Sequence, residues 1–309
     1  MFKRLMGVGL SVALAGGLLA GCGGEAADDN KSEKYTPKEL NVQLIPSQNA
    51  AVLEANAKPL AKLLEEQLDI PVNVSISTDY STIIEAMDSK KVDVGFLPPT
   101  GYVLAKDKGA AEVLLQAQRY GVNKEDGAAT DELVDYYLAY IIAKKDSDIN
   151  SLEDLKGKSI AWQDVTSSAG YVWPAVELNK AGVDPQKDVK STILQGHSEA
   201  VLAVLNGQVD AAAVFGDARN IVKGDFPKVF EETKIVHATE PIPNDTISVR
   251  PDLSDEWKKK IQDAFIAIGK DSEGQKIISS MYSHEGYTAS DDKTFDIVRE
   301  YQEKVESLQ

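Results

Sequence analysis

The segment Asp164-Val165-Thr166-Ser167-Ser168-Ala169-Gly170-Tyr171 sets three consecutive hydroxyls between a strand ending at Trp162 and a helical stretch. One hydroxyl at such a turn caps the helix, and the others can point outward beside backbone N–H groups that have no partner within the helix. The helix N-terminus carries partial positive charge, so the ensemble reads as an anion cradle of neutral groups. Gly170 permits close backbone approach. A plain Ser/Thr cap in a loop has the same local sequence, so the cradle needs partners elsewhere in the chain.

Several segments offer them. Phe96-Leu97-Pro98-Pro99-Thr100-Gly101-Tyr102 again lies between a strand and a helix, at the kind of strand end where open α/β sheets bind ligands. Thr100 and Tyr102 are the candidates there, although a lone Tyr is as readily a half-buried core residue. Tyr80, before a second helix, has the same two readings. His197, in Gly196-His197-Ser198-Glu199, stands at another helix start, where it can donate to an oxyanion. Asp217 follows a strand end, and Asp245 lies in Pro243-Asn244-Asp245-Thr246. As acceptors, these carboxylates suit a ligand amine or a ligand proton. Singly, each is an ordinary capping or turn residue. Tyr136, Tyr137, Trp173 and Glu177 are further positions that the sequence does not separate from core packing.

Catalytic patterns are missing. The chain has no Gly-x-Ser-x-Gly elbow, no phosphate-binding Gly-x-x-x-x-Gly-Lys loop and no His-Glu-x-x-His zinc helix. Its three histidines stand outside metal-ligand spacing of one another. We therefore expect no catalytic residue, no metal and no cofactor.

The elements that must position these side chains alternate. Leu40–Pro46 reads as a strand, and Ala50–Leu68 as a helix with Leu53, Ala57, Leu60, Leu63, Leu64 and Leu68 along one face. Val72–Ser77, a helix over Tyr80–Ser89 and Val92–Leu97 continue the series. The apolar strand Tyr136–Ala143 and a short capped helix at Ser151–Lys158 lead into a second series. It runs through Ser159–Trp162, the helix after Ser168, Thr192–Leu194, the helix Glu199–Leu205 and Ala211–Phe215, and the strand Ile247–Arg250 and further helices follow. Repeated β-α-β units argue for α/β architecture with sheets covered by helices. Two series of similar size suggest two lobes, residues 37–138 with 246–309 and residues 139–245. Crossing strands are expected near 137–145 and 239–248.

The chain opens with Lys3 and Arg4, an apolar run from Leu5 to Leu19 and then Ala20-Gly21-Cys22, which holds the only cysteine. Fifteen apolar residues suit a signal-peptide core better than a membrane span. This start resembles a lipoprotein signal over residues 1–21. Cys22 would then be the lipidated first mature residue (a palmitate-type anchor), followed by a flexible tether over residues 22–36. Loss of Lys3 and Arg4 takes the formal charge from −16 to −18. So acidic a surface argues against nucleic acid as a partner.

Taken in order, Val92-Asp93-Val94-Gly95-Phe96 with Tyr102, Ser151–Lys158, Asp164–Tyr171, Gly196-His197, Asn206–Ala212 and Ile242–Asp245 resemble the phosphate, phosphite and phosphonate substrate-binding family of ABC transporters. The resemblance implies the two-lobed periplasmic-binding-protein fold of type II, with mixed, mostly parallel sheets and two hinge strands. It implies that Thr166, Ser167 and Ser168 grip phosphorus oxygens, with Tyr80, Thr100, Tyr102, His197, Asp217 and Asp245 as further ligand contacts. Two departures stand out: Pro98-Pro99-Thr100-Gly101 replaces the family's usual Gly-Pro turn, and Thr-Ser-Ser replaces Ser-Thr-Ser.

The expected function is capture of a phosphonate, phosphite or phosphate by lobe closure and delivery to an ABC permease and its ATPase. The protein is expected to be a monomer held at the outer face of the bacterial plasma membrane through the lipid on Cys22. Specificity is expected from neutral donors and helix dipoles, with no Lys or Arg required. The alternatives are the same fold binding a sulfonate or a thiamine-type pyrimidine, or an exported phosphoester hydrolase.

Overall fold

The computed structural model describes residues 34–124, 127–216 and 218–308. The signal segment, Cys22, most of the tether and Asp217 lie outside the described residues. Among those described, no helix is long and apolar enough to cross a membrane.

The first series forms as its periodicity requires. Strand β1 (Leu40–Leu44) alternates fully and half-buried residues. Helix α1 (Ala50–Leu68) buries Leu53, Ala57, Leu60, Leu64 and Leu68, one stripe at three- and four-residue spacing. It starts on the Asn49 side chain, which accepts from the Ala51 N–H, and ends at Asp69 in the left-handed conformation. β2 (Val72–Ile76), α2 (Tyr80–Asp88), β3 (Val94–Leu97) and α3 (Pro99–Asp107) follow. A ribbon then forms from β4 (Glu112–Val122) and β5 (Ala129–Val134).

The two residues of β6 (Tyr136–Tyr137) lead to the second series. It comprises β7 (Ala139–Lys144), β8 (Ser159–Trp162), α4 (Trp173–Lys180), β9 (Lys190–Ile193), α5 (His197–Leu205), β10 (Ala211–Phe215), α6 (Ala218–Val222), α7 (Val229–Glu232) and β11 (Thr233–Ala238). The return passes through β12 (Ile242–Pro243) and β13 (Thr246–Val249), then α8 (Asp255–Lys270), α9 (Ser272–Tyr282), β14 (Gly286–Ala289) and α10 (Asp296–Glu306).

These strands make two main sheets. The first has the order β14-β4-β13-β3-β1-β2, with β5 paired to β4; the second has the order β11-β7-β10-β8-β9. In each, three neighbouring strands run parallel (β2-β1-β3 and β10-β8-β9), and antiparallel strands complete the sheet. The two chain segments that run between the sheets pair with each other as a separate antiparallel ribbon of β6 and β12. Asn244 fastens this crossing: it is fully buried and donates from its backbone N–H to the Asp135 carbonyl at 2.9 Å.

The chain crosses out at Tyr136–Tyr137, earlier than the expected 137–145, because Ala139–Lys144 is already a buried inner strand of the second sheet. Strands β5, β11 and β14 carry no clear sequence pattern. All of β5 except Val134 is exposed, so no apolar alternation marks it. The Ser151–Lys158 segment is a single 3-10 turn at Glu153–Leu155. The Asp154 carboxylate caps it, accepting from the N–H groups of Asn150 and Ser151, and Gly157 closes it at a φ of 81°.

Helix α10 touches both halves, packing on α3 from the first and α4 from the second. Trp173 of α4 lies flat on Tyr301 of α10, with centroids 4.3 Å apart and planes 8° apart.

Candidate functional site

The carboxyl ends of β1, β3, β8 and β10 all point to one place between the two sheets. A cavity of about 30 Å³ lies there, where ligands of open α/β sheets are expected. The first half contributes Ser47 and Gln48 after β1, Tyr80 at the start of α2, Pro98 after β3, and Tyr282. The second half contributes Ser167, Ala169, His197 and Phe215, and Arg119, Tyr137 and Asp245 lie at the crossing.

Ser167 is the hydroxyl that the triplet turns inward. It is 2% exposed, and its oxygen accepts the N–H of Gly170 at 3.1 Å. The following residues, Ser168–Val172, form a π-helical turn that continues into α4. Glycine is required at 170 because a Cβ there would collide with the Gln163 side chain.

Tyr80 stays a neutral donor. Burial drives its pKa well above the ordinary value, and hydrogen bonding to Ser167 and Ser47 offsets only part of that. His197 also stays neutral: burial, reinforced by the Arg119 charge, lowers its pKa to about 3 against the pull of Asp245. Its Nδ1 accepts the Phe215 N–H at 3.4 Å, so Nε2 carries the ring proton. Three residues from different elements thus offer uncharged O–H or N–H groups at one cavity.

Charge enters through Arg119, which the sequence reading missed. Its side chain is 6% exposed, its Nη2 lies 3.3 Å from Asp245 Oδ2, and its guanidinium sits 4.7 Å from the Tyr137 ring centre. Burial alone would raise the Asp245 pKa, but the His284 hydrogen bond (3.2 Å) and the Arg119 charge hold it below the usual carboxylate value. This bears on the expectation that no Lys or Arg is required: a cation stands at the cavity wall, neutralised in part by Asp245. A lone Arg near the end of an apolar, strand-like run was the available signal. Gln48 was missed as well; it is buried, and its side-chain oxygen has no protein partner among the described residues.

The structure separates the remaining candidates. Thr100 and Ser168 meet behind the cavity, with the Thr100 N–H donating to Ser168 Oγ at 3.0 Å and the two hydroxyls 2.8 Å apart. Both are buried and neither lines the cavity, so they clasp the halves together. Thr166 faces its own turn, donating from N–H and hydroxyl to Asp164 Oδ1 at 2.9 and 2.7 Å. Tyr102 is a core residue away from the cavity. Its hydroxyl donates to Asp292 at 2.7 Å and its ring packs edge-on against Phe295. Glu177 accepts the Glu240 N–H at 3.0 Å and pairs with His237 at 2.5 Å, and Trp173 stacks on Tyr301. Of the uncommitted positions only Tyr137 reaches the cavity, while Tyr136 is 40% exposed. Among the described residues no three metal-ligating side chains gather.

Further polar contacts cross between the halves around the cavity. The His197 N–H donates to the Ser47 carbonyl at 3.1 Å, and Gln195 Nε2 to the Thr78 carbonyl at 2.6 Å.

Two α/β lobes joined by a paired crossing, closing on a small cavity at their strand ends, define the type II architecture of two-lobed solute-binding proteins. The chain belongs to the family described as the phosphonate periplasmic substrate-binding protein of ABC transporters, whose family model matches residues 42–295. It is 31% identical over 220 residues to the phosphate-import protein PhnD of Mycolicibacterium smegmatis, a match covering 68% of this chain and 66% of that protein, just under two thirds of its length. It is 29% identical over 248 residues to the phosphonates-binding periplasmic protein of Escherichia coli, covering 79% of this chain and 70% of that one. A solved binding-protein component of an ABC phosphonate transporter from Pseudomonas aeruginosa superposes with a TM-score of 0.75 at 26% identity, covering 88% of this chain and 89% of the other.

Proposed function

We propose that this chain is the extracytoplasmic binding component of an ABC importer. It captures a small phosphorus oxyanion (a phosphonate, phosphite or phosphate) between lobes made of residues 37–138 with 246–309 and of residues 139–245. The observation that carries this reading is the convergence of Ser167, Tyr80, the neutral His197 and Arg119 on a cavity of about 30 Å³. Such a cavity is about a tenth of the smallest drug-sized pockets, roughly 300 Å³. It suits a ligand of a few heavy atoms.

The donors come from different elements of both lobes, so they surround a ligand only when the lobes are together. Asp245, held ionised beside Arg119, is an acceptor for a ligand proton or amine. His197 is too weak a base to activate a nucleophile near neutral pH, which favours binding over hydrolysis. The lipid on Cys22 would hold a monomer at the outer face of the plasma membrane, where the closed form meets its permease and ATPase.

The test is thermal melting of the full chain against phosphate, phosphite, methylphosphonate, 2-aminoethylphosphonate, sulfate and taurine. A ligand that binds only the folded state adds about 2.7 kcal/mol at a hundredfold excess over its Kd. One phosphorus compound is expected to raise Tm clearly. A shift with taurine alone would transfer the site to sulfonates, and no shift with any phosphorus compound would sink the assignment.

A further inference from the structure

Helix α10 belongs to the first lobe by chain order and ends against the second. Its seat on the first lobe lies just ahead of the helix. Asp292 accepts from the Tyr102 hydroxyl and from Arg299 Nη2, both at 2.7 Å, and the fully buried Phe295 packs edge-on against the Tyr102 ring. Further along, Tyr301 meets the second lobe. Its ring lies flat on Trp173, its hydroxyl donates to Glu177 Oε1 at 3.4 Å, and Lys180 Nζ donates to that hydroxyl at 3.4 Å. Burial and the charges of Glu177 and Glu240 push the Tyr301 pKa up to about 12, which keeps the hydroxyl a donor.

Glu177 gathers more than this one bond. Its buried carboxylate also pairs with His237 of β11 and accepts the N–H of Glu240 at 3.0 Å. Glu240 stands two residues ahead of β12, one of the two crossing segments. One carboxylate therefore joins α4, the edge of the second sheet, the entry to the crossing and α10. A buried carboxylate is costly when its bonds are unmade, so the four elements are held as a unit. Trp173 directly follows the π-helical turn Ser168–Val172 that Ser167 caps, and α10 touches that turn as well. The knot thus braces the back of the turn that carries Ser167, while Trp173, Glu177, His237 and Tyr301 all stand outside the cavity lining.

We propose that Tyr301 and Glu177 are positioning residues for capture: they form a catch through which α10 holds the lobes together, and so set how long a ligand stays without touching it. This deepens the capture reading above and rests on it. Separating the lobes must break the Tyr301 contacts or pull α10 from its seat on Tyr102. Either raises the barrier to opening a loaded protein, whereas a ligand enters the open form before the catch has closed. The catch therefore acts on release far more than on association.

Stopped-flow exchange of bound methylphosphonate on the full chain reads both rates, and small-angle scattering of the ligand-free chain reads lobe separation. Tyr301→Ala removes the stack and the hydrogen bond; it is expected to speed release about tenfold and to change association less than about twofold. Tyr301→Phe keeps the stack and should speed release about threefold, which decides the matter if Tyr301→Ala does not fold. Ligand-free Tyr301→Ala should show the larger radius of gyration. Release at the wild-type rate in both variants would overturn the catch, and so would a loss of affinity carried by association alone. If no phosphorus compound binds the wild type, the capture reading fails by itself; scattering then decides the catch, and an unchanged radius of gyration overturns it.

Discussion

The interlobe cavity and the lysine-bearing groove beside β11 present their polar groups in opposite ways. The cavity is small and ringed by neutral donors whose positions are fixed by a cap, a helix start and a buried imidazole. The groove is open and carries lysines at its rim. Fixed dipoles in an enclosed site act at full strength and are little screened, whereas exposed charges lose their reach within about 8 Å at physiological salt. An enclosed set of fixed dipoles lets even a chain this acidic select a small anion.

Arg119 is where the comparison is easiest to break, because with Asp245 it puts an ion pair into a cavity otherwise lined by neutral groups. Arg119→Met removes the charge and leaves Asp245 to its His284 hydrogen bond. Calorimetry with the selected oxyanion should show at least a hundredfold loss of affinity. A loss below threefold would mean that neutral donors suffice. Ser167→Ala should come next: losing a hydrogen bond to a charged oxygen costs about 1.5–3 kcal/mol, or roughly tenfold to a hundredfold in Kd. Loss of the cap on the Gly170 N–H should lower stability by about 1 kcal/mol as well. Equal affinity in the variant would remove Ser167 from the site.

His197 sharpens the contrast through pH. Its folded pKa of about 3 lies below the unfolded value near 6.5. The unfolded chain therefore binds the extra proton first, and stability that is full above pH 6.5 drains away as pH falls toward 3. Denaturant titrations of His197→Gln should show a flatter decline over that window; an identical slope would mean that His197 is not held neutral. Tyr102→Phe should do least, removing one hydrogen bond to Asp292 for about 1 kcal/mol of stability and leaving affinity untouched. A change in affinity there would return Tyr102 to the site.

The architecture was legible because apolar periodicity is a local signal. The α1 stripe from Leu53 to Leu68 and the buried strand Ala211–Phe215 both stand where spacing placed them. The lining of the candidate cavity was legible where chemistry sits at an element boundary: Tyr80 and His197 open helices, and Ser167 caps a turn. It was not legible within the triplet, whose three adjacent hydroxyls serve a turn, a cavity and a clasp. Which way each hydroxyl faces depends on the π-helical turn and on Thr100, sixty-eight residues from Ser168. Arg119 escaped for a related reason: β4 belongs to a ribbon whose partner strand is almost wholly exposed, so nothing in the local pattern marked it as a wall of the cavity.

The flat stack of Trp173 on Tyr301 gives the molecule an optical gauge of its own. Of its three tryptophans, Trp162 lies in the second sheet against Tyr171 and Trp257 on a helix that packs against the first sheet, while Trp173 meets a helix that also packs on the opposite lobe. Any swing of one lobe must either slide that indole off its phenol or carry α10 along with it. The two routes leave different marks on the emission of Trp173, so lobe movement can be followed in solution without attaching a dye.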